Sequence, residues 1–154
     1  MKKMIIYLYL FLLFISCSSV PQRDNFETDD LQIKIEIIEE KSEIGIKLIC
    51  ENISHKLIHI PLFYLTFNNS SRKNLRNNWF LITDKTNTCV KYYGDYFEPP
   101  VKMKKNDFQT LKPNESVEIF VEHISFNYDL EPSSEYFISY LGPLGESNKV
   151  VLIY

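Results

Sequence analysis

The sequence predicts an all-β fold, an immunoglobulin-like antiparallel β-sandwich of about seven to nine strands. Three observations lead there. Apolar and polar residues alternate at period two along most of the chain, which puts every second side chain on one face of a strand. The 154 residues include 11 Phe and 10 Tyr but only 4 Gly, a balance that favours aromatic, β-branched packing over a loop-rich scaffold. Helical period is absent after residue 20, and no run supports a helix longer than about a turn.

Each strand has its own warrant. In LQIKIEII (31–38), Leu31, Ile33, Ile35 and Ile37 share one face, opposite Gln32, Lys34 and Glu36. After the turn EEKSE, IGIKLIC (44–50) sets Ile44, Ile46, Leu48 and Cys50 on one side. The polar loop ENISHK leads to LIHIPLFYLTF (57–67), where Pro61 implies an edge position or a bulge because it donates no ladder hydrogen bond. The turn-rich stretch NNSSRKNLRNN precedes the strand WFLIT (79–83), the turn DKTN and the strand TCVKYY (88–93). GDYFEPP is a longer connection, and LKPNES is a turn before VEIFVEHI, in which Val117, Ile119, Val121 and His123 share parity. YFISY (136–140) and KVVLIY (149–154) supply the last strands, and no internal repeat is present.

The length suits one domain, and a 45% hydrophobic content supplies a core for it. Net charge is −3, and it becomes two units more negative once Lys2 and Lys3 are set aside with the leader. That balance argues against a nucleic-acid partner, which needs clustered Lys and Arg. The one local basic cluster, SRKNLR (71–76), reads as a solvated loop.

Residues 1–16 read as a signal peptide. Lys2 and Lys3 make a positive n-region, and Met4 to Ile15 form an uninterrupted apolar run. As a helix that run would reach about 18 Å, short of a bilayer core of roughly 30 Å. The next residues resemble the bacterial lipoprotein box: Phe14-Ile15-Ser16-Cys17, with Phe14 where Leu is usual. The chemistry needs a small residue before the cut and a thiol after it, since the thiol carries the diacylglyceryl group. The resemblance implies that Cys17 is the lipidated N-terminus, held in a membrane by two or three acyl chains. Residues 17–30 then form the lipidated cysteine and a polar tether, and 31–154 the β-sandwich. Ser18 and Ser19 carry no acidic retention signal, which points to the outer membrane of a bacterial cell envelope, on its periplasmic or surface face.

The second half carries a further resemblance. Val90, Tyr92 or Tyr93, Gly94, Leu111, Glu115, Ser116, Tyr128, Asp129, Leu130, Tyr136, Ile138, Ser147 and Asn148 match a pattern of turns and strand starts. It resembles the immunoglobulin-like domain that precedes the catalytic domain of deuterolysin-type and peptidyl-Lys zinc metallopeptidases. Asn114 and Ser134 stand where that pattern prefers Gly; Asn tolerates a left-handed turn. No H-E-x-x-H occurs, because the three histidines are followed by Lys56, Ile60 and Ile124. The resemblance implies a propeptide-like binding role toward a secreted peptidase, without proteolysis by this chain. Within the pattern, Tyr136 is expected as a tyrosine corner, its hydroxyl tied to nearby backbone. Asp129 is expected to accept from the N–H groups of the following turn, and Asn148 to cap the loop before the last strand. Tyr128 belongs to the same set of structural positions.

Cys50 and Cys89 remain once Cys17 is spent. A disulfide between them would close a long loop and contribute up to about 4 kcal/mol; two separate thiols are the other reading. His55, His59 and His123 show no ligand-like spacing, so no metal and no cofactor is expected. No nucleophile elbow occurs, and the chain is expected not to be an enzyme. Tyr92, Tyr93, Tyr96 and Phe97 crowd around Gly94 ahead of Pro99-Pro100, and aromatics on a rigid loop make good protein-binding anchors. Covering an open edge of the sandwich is their bland alternative. The expected partner is another envelope or secreted protein. A structural envelope or adhesion lipoprotein is the alternative role.

Overall fold

The computed structural model describes residues 27–40, 43–68 and 74–154. The leader, Cys17, nearly all of the tether, the tip of the first hairpin and the loop at 69–73 lie outside the described residues.

Nine strands are described, all paired antiparallel: β1 (Leu31–Glu40), β2 (Glu43–Asn52), β3 (Ile58–Pro61), β4 (Phe80–Asp84), β5 (Phe108–Leu111), β6 (Ser116–Val121), β7 (Glu135–Gly142), β8 (Gly145–Glu146) and β9 (Val150–Ile153). The one α-helix among the described residues, α1 (Ile124–Asn127), is a single turn. One sheet runs β1-β2-β6, and a second has β7 at its centre, with β4 along one edge and β8 and β9 along the other. A two-stranded β3-β5 ribbon completes an all-β sandwich.

The inward parities pack into one cluster. Ile33, Ile35, Ile46, Leu48 and Cys50 from the first sheet meet Phe80, Ile82, Tyr136, Ile138, Tyr140 and Leu152 from the second. Register explains the agreement: Ile33 lies opposite Cys50, Ile35 opposite Leu48 and Ile37 opposite Ile46, so all six side chains share a face. Asn52 continues that face as a fully buried amide. Its Nδ2 donates to the carbonyls of Lys56 (2.8 Å) and Leu111 (3.0 Å), and its Oδ1 accepts from Ser54 N (2.9 Å) and Oγ (2.7 Å). A buried amide with all its groups engaged is inexpensive, and here it joins the end of β2 to β5.

Several local expectations change. The strand expected over 57–67 stops at Pro61, whose missing N–H ends the ladder, and a 3-10 turn follows over Leu62–Leu65. TCVKYY pairs only at two isolated bridges, Thr83 with Cys89 and Tyr92 with Tyr128. His123 leaves the β6 parity because it adopts a left-handed conformation (φ 63°) and starts α1. Of the two positions where the pattern prefers Gly, Asn114 is left-handed (φ 61°), while at the second turn Ser133 (φ 61°), one position before Ser134, takes that conformation. Thr28–Asp30, assigned to the tether, form a 3-10 turn that is part of the domain: Ile53 N donates to Asp30 O (3.0 Å), and Lys56 pairs with its carboxylate (2.8 Å).

The two sheets differ on their outward faces. Lys34, Glu36, Lys47 and Glu118 cover the first, whereas Leu81, Leu141, Val151 and Ile153 are exposed on the second.

Candidate functional site

Alternation along 90–93 turns Tyr92 inward and Tyr93 outward, and it ends at Gly94. Tyr92 packs on Tyr128 (ring centroids 5.1 Å) and meets Tyr96 edge-on (5.4 Å). Its hydroxyl is shared between the carbonyls of Leu75 and Asp95, each 2.9 Å away. Burial holds the Tyr92 and Tyr128 phenols well above the usual range, so both stay protonated donors. Gly94 is required here, because the Tyr92 ring lies where a Cβ at 94 would stand. The same device recurs at Tyr140 and Gly142 in β7. Of the two tyrosines that fit the sequence pattern before Gly94, Tyr92 is therefore the structural one.

The neighbouring rings face outward. Tyr93 is 54% exposed, Tyr96 74% and Phe97 41%. Backbone hydrogen bonds fix the loop beneath them: Asp95 N to Leu75 O (3.0 Å), Tyr93 N to Asn127 O (2.8 Å), and Phe97 N to Asn77 Oδ1 (3.0 Å). Two cations flank the rings, with Lys91 Nζ 4.7 Å from the Tyr93 centroid and Arg76 Cζ 5.6 Å from that of Phe97. The result is a braced surface with three accessible aromatic rings and cations at both ends.

Sequence reasoning missed the supports of this surface. Leu75 is fully buried and Arg76 half-buried, although both sit in the stretch read as a solvated loop. A lone Leu between polar residues was the only available signal. Asn127, buried in α1, accepts from Leu75 N (2.9 Å) and so ties that loop to the core.

The remaining positions sort as follows. The Tyr136 hydroxyl accepts from Glu131 N (2.7 Å), five residues upstream. Tyr128 donates toward Asn78 Oδ1 (2.7 Å) and Phe80 O (3.1 Å), anchoring the start of β4. The Asp129 carboxylate takes the Tyr93 hydroxyl (3.3 Å) instead of turn N–H groups. Asn148 reaches across the sandwich: its Oδ1 accepts from Ile35 N (2.8 Å) and its Nδ2 donates to Ile35 O (3.2 Å). The amide thus acts as one residue of a strand beside β1, where a local loop cap was expected. Cys50 and Cys89 are both free, so the disulfide reading gives way to two thiols. Cys50 points into the core from β2, and burial pushes it up to about 12, while Cys89 is exposed.

Among the described residues no three His, Cys, Asp or Glu side chains gather as a metal-ligand set. His59 bonds Thr110 Oγ1 (2.9 Å) on the β3-β5 ribbon, away from His123 at the start of α1. No described helix is long and apolar enough to cross a membrane. No protein-family model matches the chain, and no curated protein matches it in sequence.

Proposed function

We propose that the chain is a lipid-anchored, non-catalytic β-sandwich of the bacterial cell envelope that binds another protein through Tyr93, Tyr96 and Phe97. One observation carries the reading: three exposed rings stand on a loop whose backbone is tied down from behind by Leu75, Asn77 and Asn127. Association is costly when floppy side chains must be ordered, so rings on a braced loop lose less entropy on binding. Aromatic anchors of this kind dominate binding energy at protein interfaces. The flanking cations add polar contacts at the rim. Cys17, outside the described residues, supplies the anchor in this reading, through the lipoprotein-box resemblance of Phe14 to Cys17. The resemblance to peptidase propeptide domains makes a secreted peptidase the partner class to look for first.

Affinity capture from envelope and secreted fractions tests the reading, with the full chain compared to a Tyr93→Ser/Tyr96→Ser/Phe97→Ser variant. A discrete envelope or secreted protein should be retained by the parent chain and lost, by at least about tenfold, from the variant. Equal retention by both chains overturns it. If the captured protein is a peptidase, its activity should fall on addition of the parent chain alone.

A further inference from the structure

We propose that the free edge of β9 is an interface between two copies of this chain, paired as antiparallel strands with Val151 of each copy opposite Ile153 of the other. The pairing involves neither the aromatic loop nor the anchor. The hydrogen-bond phase of the sheet lays the edge open. Tyr154 N donates to Ser134 O (2.9 Å), so the even-numbered residues of β9 bond to β7, Leu152 opposite Tyr136 and Val150 opposite Ile138. The N–H and C=O groups of Val151 and Ile153 therefore point away from β7. Among the described residues β9 pairs with no strand but β7. The chain bonds to β1 just before β9 starts, through the Ile33–Ser147 bridge and the Asn148 amide on Ile35. The open edge thus begins beyond Lys149. Unpaired N–H and C=O groups along a strand edge are a template for another extended backbone.

Other edges carry guards that this one lacks. β1 is clasped by Asn148 and carries Glu36, Glu39 and Glu40, β6 has Glu118 in mid-strand, and β3 ends in Pro61. The outer edge of β4 receives Val90 N on Ile82 O (2.8 Å). Val150 to Tyr154 contain no charge, no Pro and no Gly. Self-complementarity makes a second copy the occupant. A strand that pairs with its own copy about a twofold axis sets residue i against j and j against i. Opposed residues share a sheet face, so i and j have the same parity. With Val151 against Ile153, both such pairs exchange their outward N–H and C=O groups. The two β-branched side chains, 53% and 71% exposed in the single chain, then meet across the strands on the outer face. Leu152 meets Leu152 on the inner side, Val150 meets Tyr154, and no charged residue falls within the overlap. The neighbouring register, Val151 against Val151, would set Lys149 against Ile153 and push the second copy toward the β1 contact.

Disulfide trapping tests the pairing and its register together. Two differently tagged copies of the full chain, both with Cys89→Ser, are co-expressed in bacteria, one carrying Val151→Cys and the other Ile153→Cys. Directly opposed residues of a bonded antiparallel pair have Cα atoms about 5.5 Å apart, within disulfide reach. Both substitutions replace exposed side chains, so the urea midpoint should match that of the parent chain. After mild oxidation, peptide mapping should find the mixed 151–153 disulfide about tenfold more abundant than the 151–151 disulfide. It should exceed by a similar factor the disulfide of a Lys34→Cys pair, which reports chance collisions. Equal yields, or no disulfide at either position, overturn the pairing. An excess of 151–151 overturns the register on which it rests. Attachment of either cysteine to a different protein gives the edge to another chain's strand, and that overturns the proposal too.

Discussion

The outward faces of the two sheets are built on opposite principles. On β1-β2-β6, Lys47 sits between Glu36 (3.5 Å) and Glu118 (3.1 Å), and Gln32 and Lys34 extend the polar surface. The hydrogen bond that Lys47 donates to Glu118, and then the charges of both carboxylates, hold its ammonium above the ordinary range. Phe120 is exposed on that face too, and Ile38 and Ile49 are half-buried there. On the β4-β7-β9 sheet the equivalent positions are Leu81, Leu141, Val151 and Ile153. Inward, the two sheets are alike, each contributing aliphatic and aromatic side chains to one core. The contrast separates two tasks. Both inner faces hold the fold, while the two outer faces differ in how much apolar surface they leave exposed.

Substitution and pH probe the two sheets, and the largest effects should come from the shared core. Leu48→Ala and Ile138→Ala remove fully buried side chains from opposite sheets. Each should lower unfolding free energy by about 2–5 kcal/mol in urea titrations. An effect from only one of them would mean that the sheets do not share a core.

Alkaline pH should act next. Cys50 is held at about 12 by burial, and Tyr92, Tyr128 and Tyr140 are raised for the same reason. A raised pKa in the folded state means that the native protein keeps its proton while the unfolded chain releases it. This stability is fully present below pH 9 and declines as pH climbs from about 9 toward 12. Each such group sets a limiting slope of about 1.4 kcal/mol per pH unit. Urea midpoints measured from pH 8 to 11 should fall progressively, and Cys50→Ala should flatten the first part of the decline. A flat profile would mean that the core admits water at Cys50.

Asn148→Ala should come third. It removes both bonds to the Ile35 backbone, leaving the part-buried N–H and C=O of β1 without that partner. The expected cost is about 1–3 kcal/mol, with faster amide exchange at Ile35 than at Ile46 in β2. Smallest should be the outer faces themselves. Val151→Ser with Ile153→Ser should shift stability by no more than about 0.5 kcal/mol per site, because both side chains are already exposed. A large loss there would make that face part of the fold's own packing.

What the sequence disclosed follows from period. β1 and β2 are long, strictly alternating and buried on one side, so their faces could be read directly from Leu31 to Cys50. β5 was invisible: Phe108–Leu111 is four residues with two polar ones, and pairing with β3 makes it a strand. TCVKYY looked like a strand by composition, yet the Tyr92 ring folding over Gly94 turns the chain after two bridges. The candidate loop was half legible. Sequence grouped Tyr92, Tyr93, Tyr96 and Phe97 but could not tell half-buried Tyr92 from the exposed rings, since Tyr96 shares its parity and is the most exposed of the four. Its braces at Leu75, Asn77 and Asn127 come from distant segments and leave no local pattern. Asn148 shows the same limit: a side-chain amide can cap its own loop or complete a strand far along the chain, and only the fold decides.

The proposed envelope role presupposes a chain that begins, when mature, at a lipidated Cys17. Mass spectrometry of the mature protein's N-terminal peptide tests this most directly. The expected result is a peptide starting at Cys17 that carries two or three acyl chains. An unmodified peptide beginning near Ser18 would contradict it.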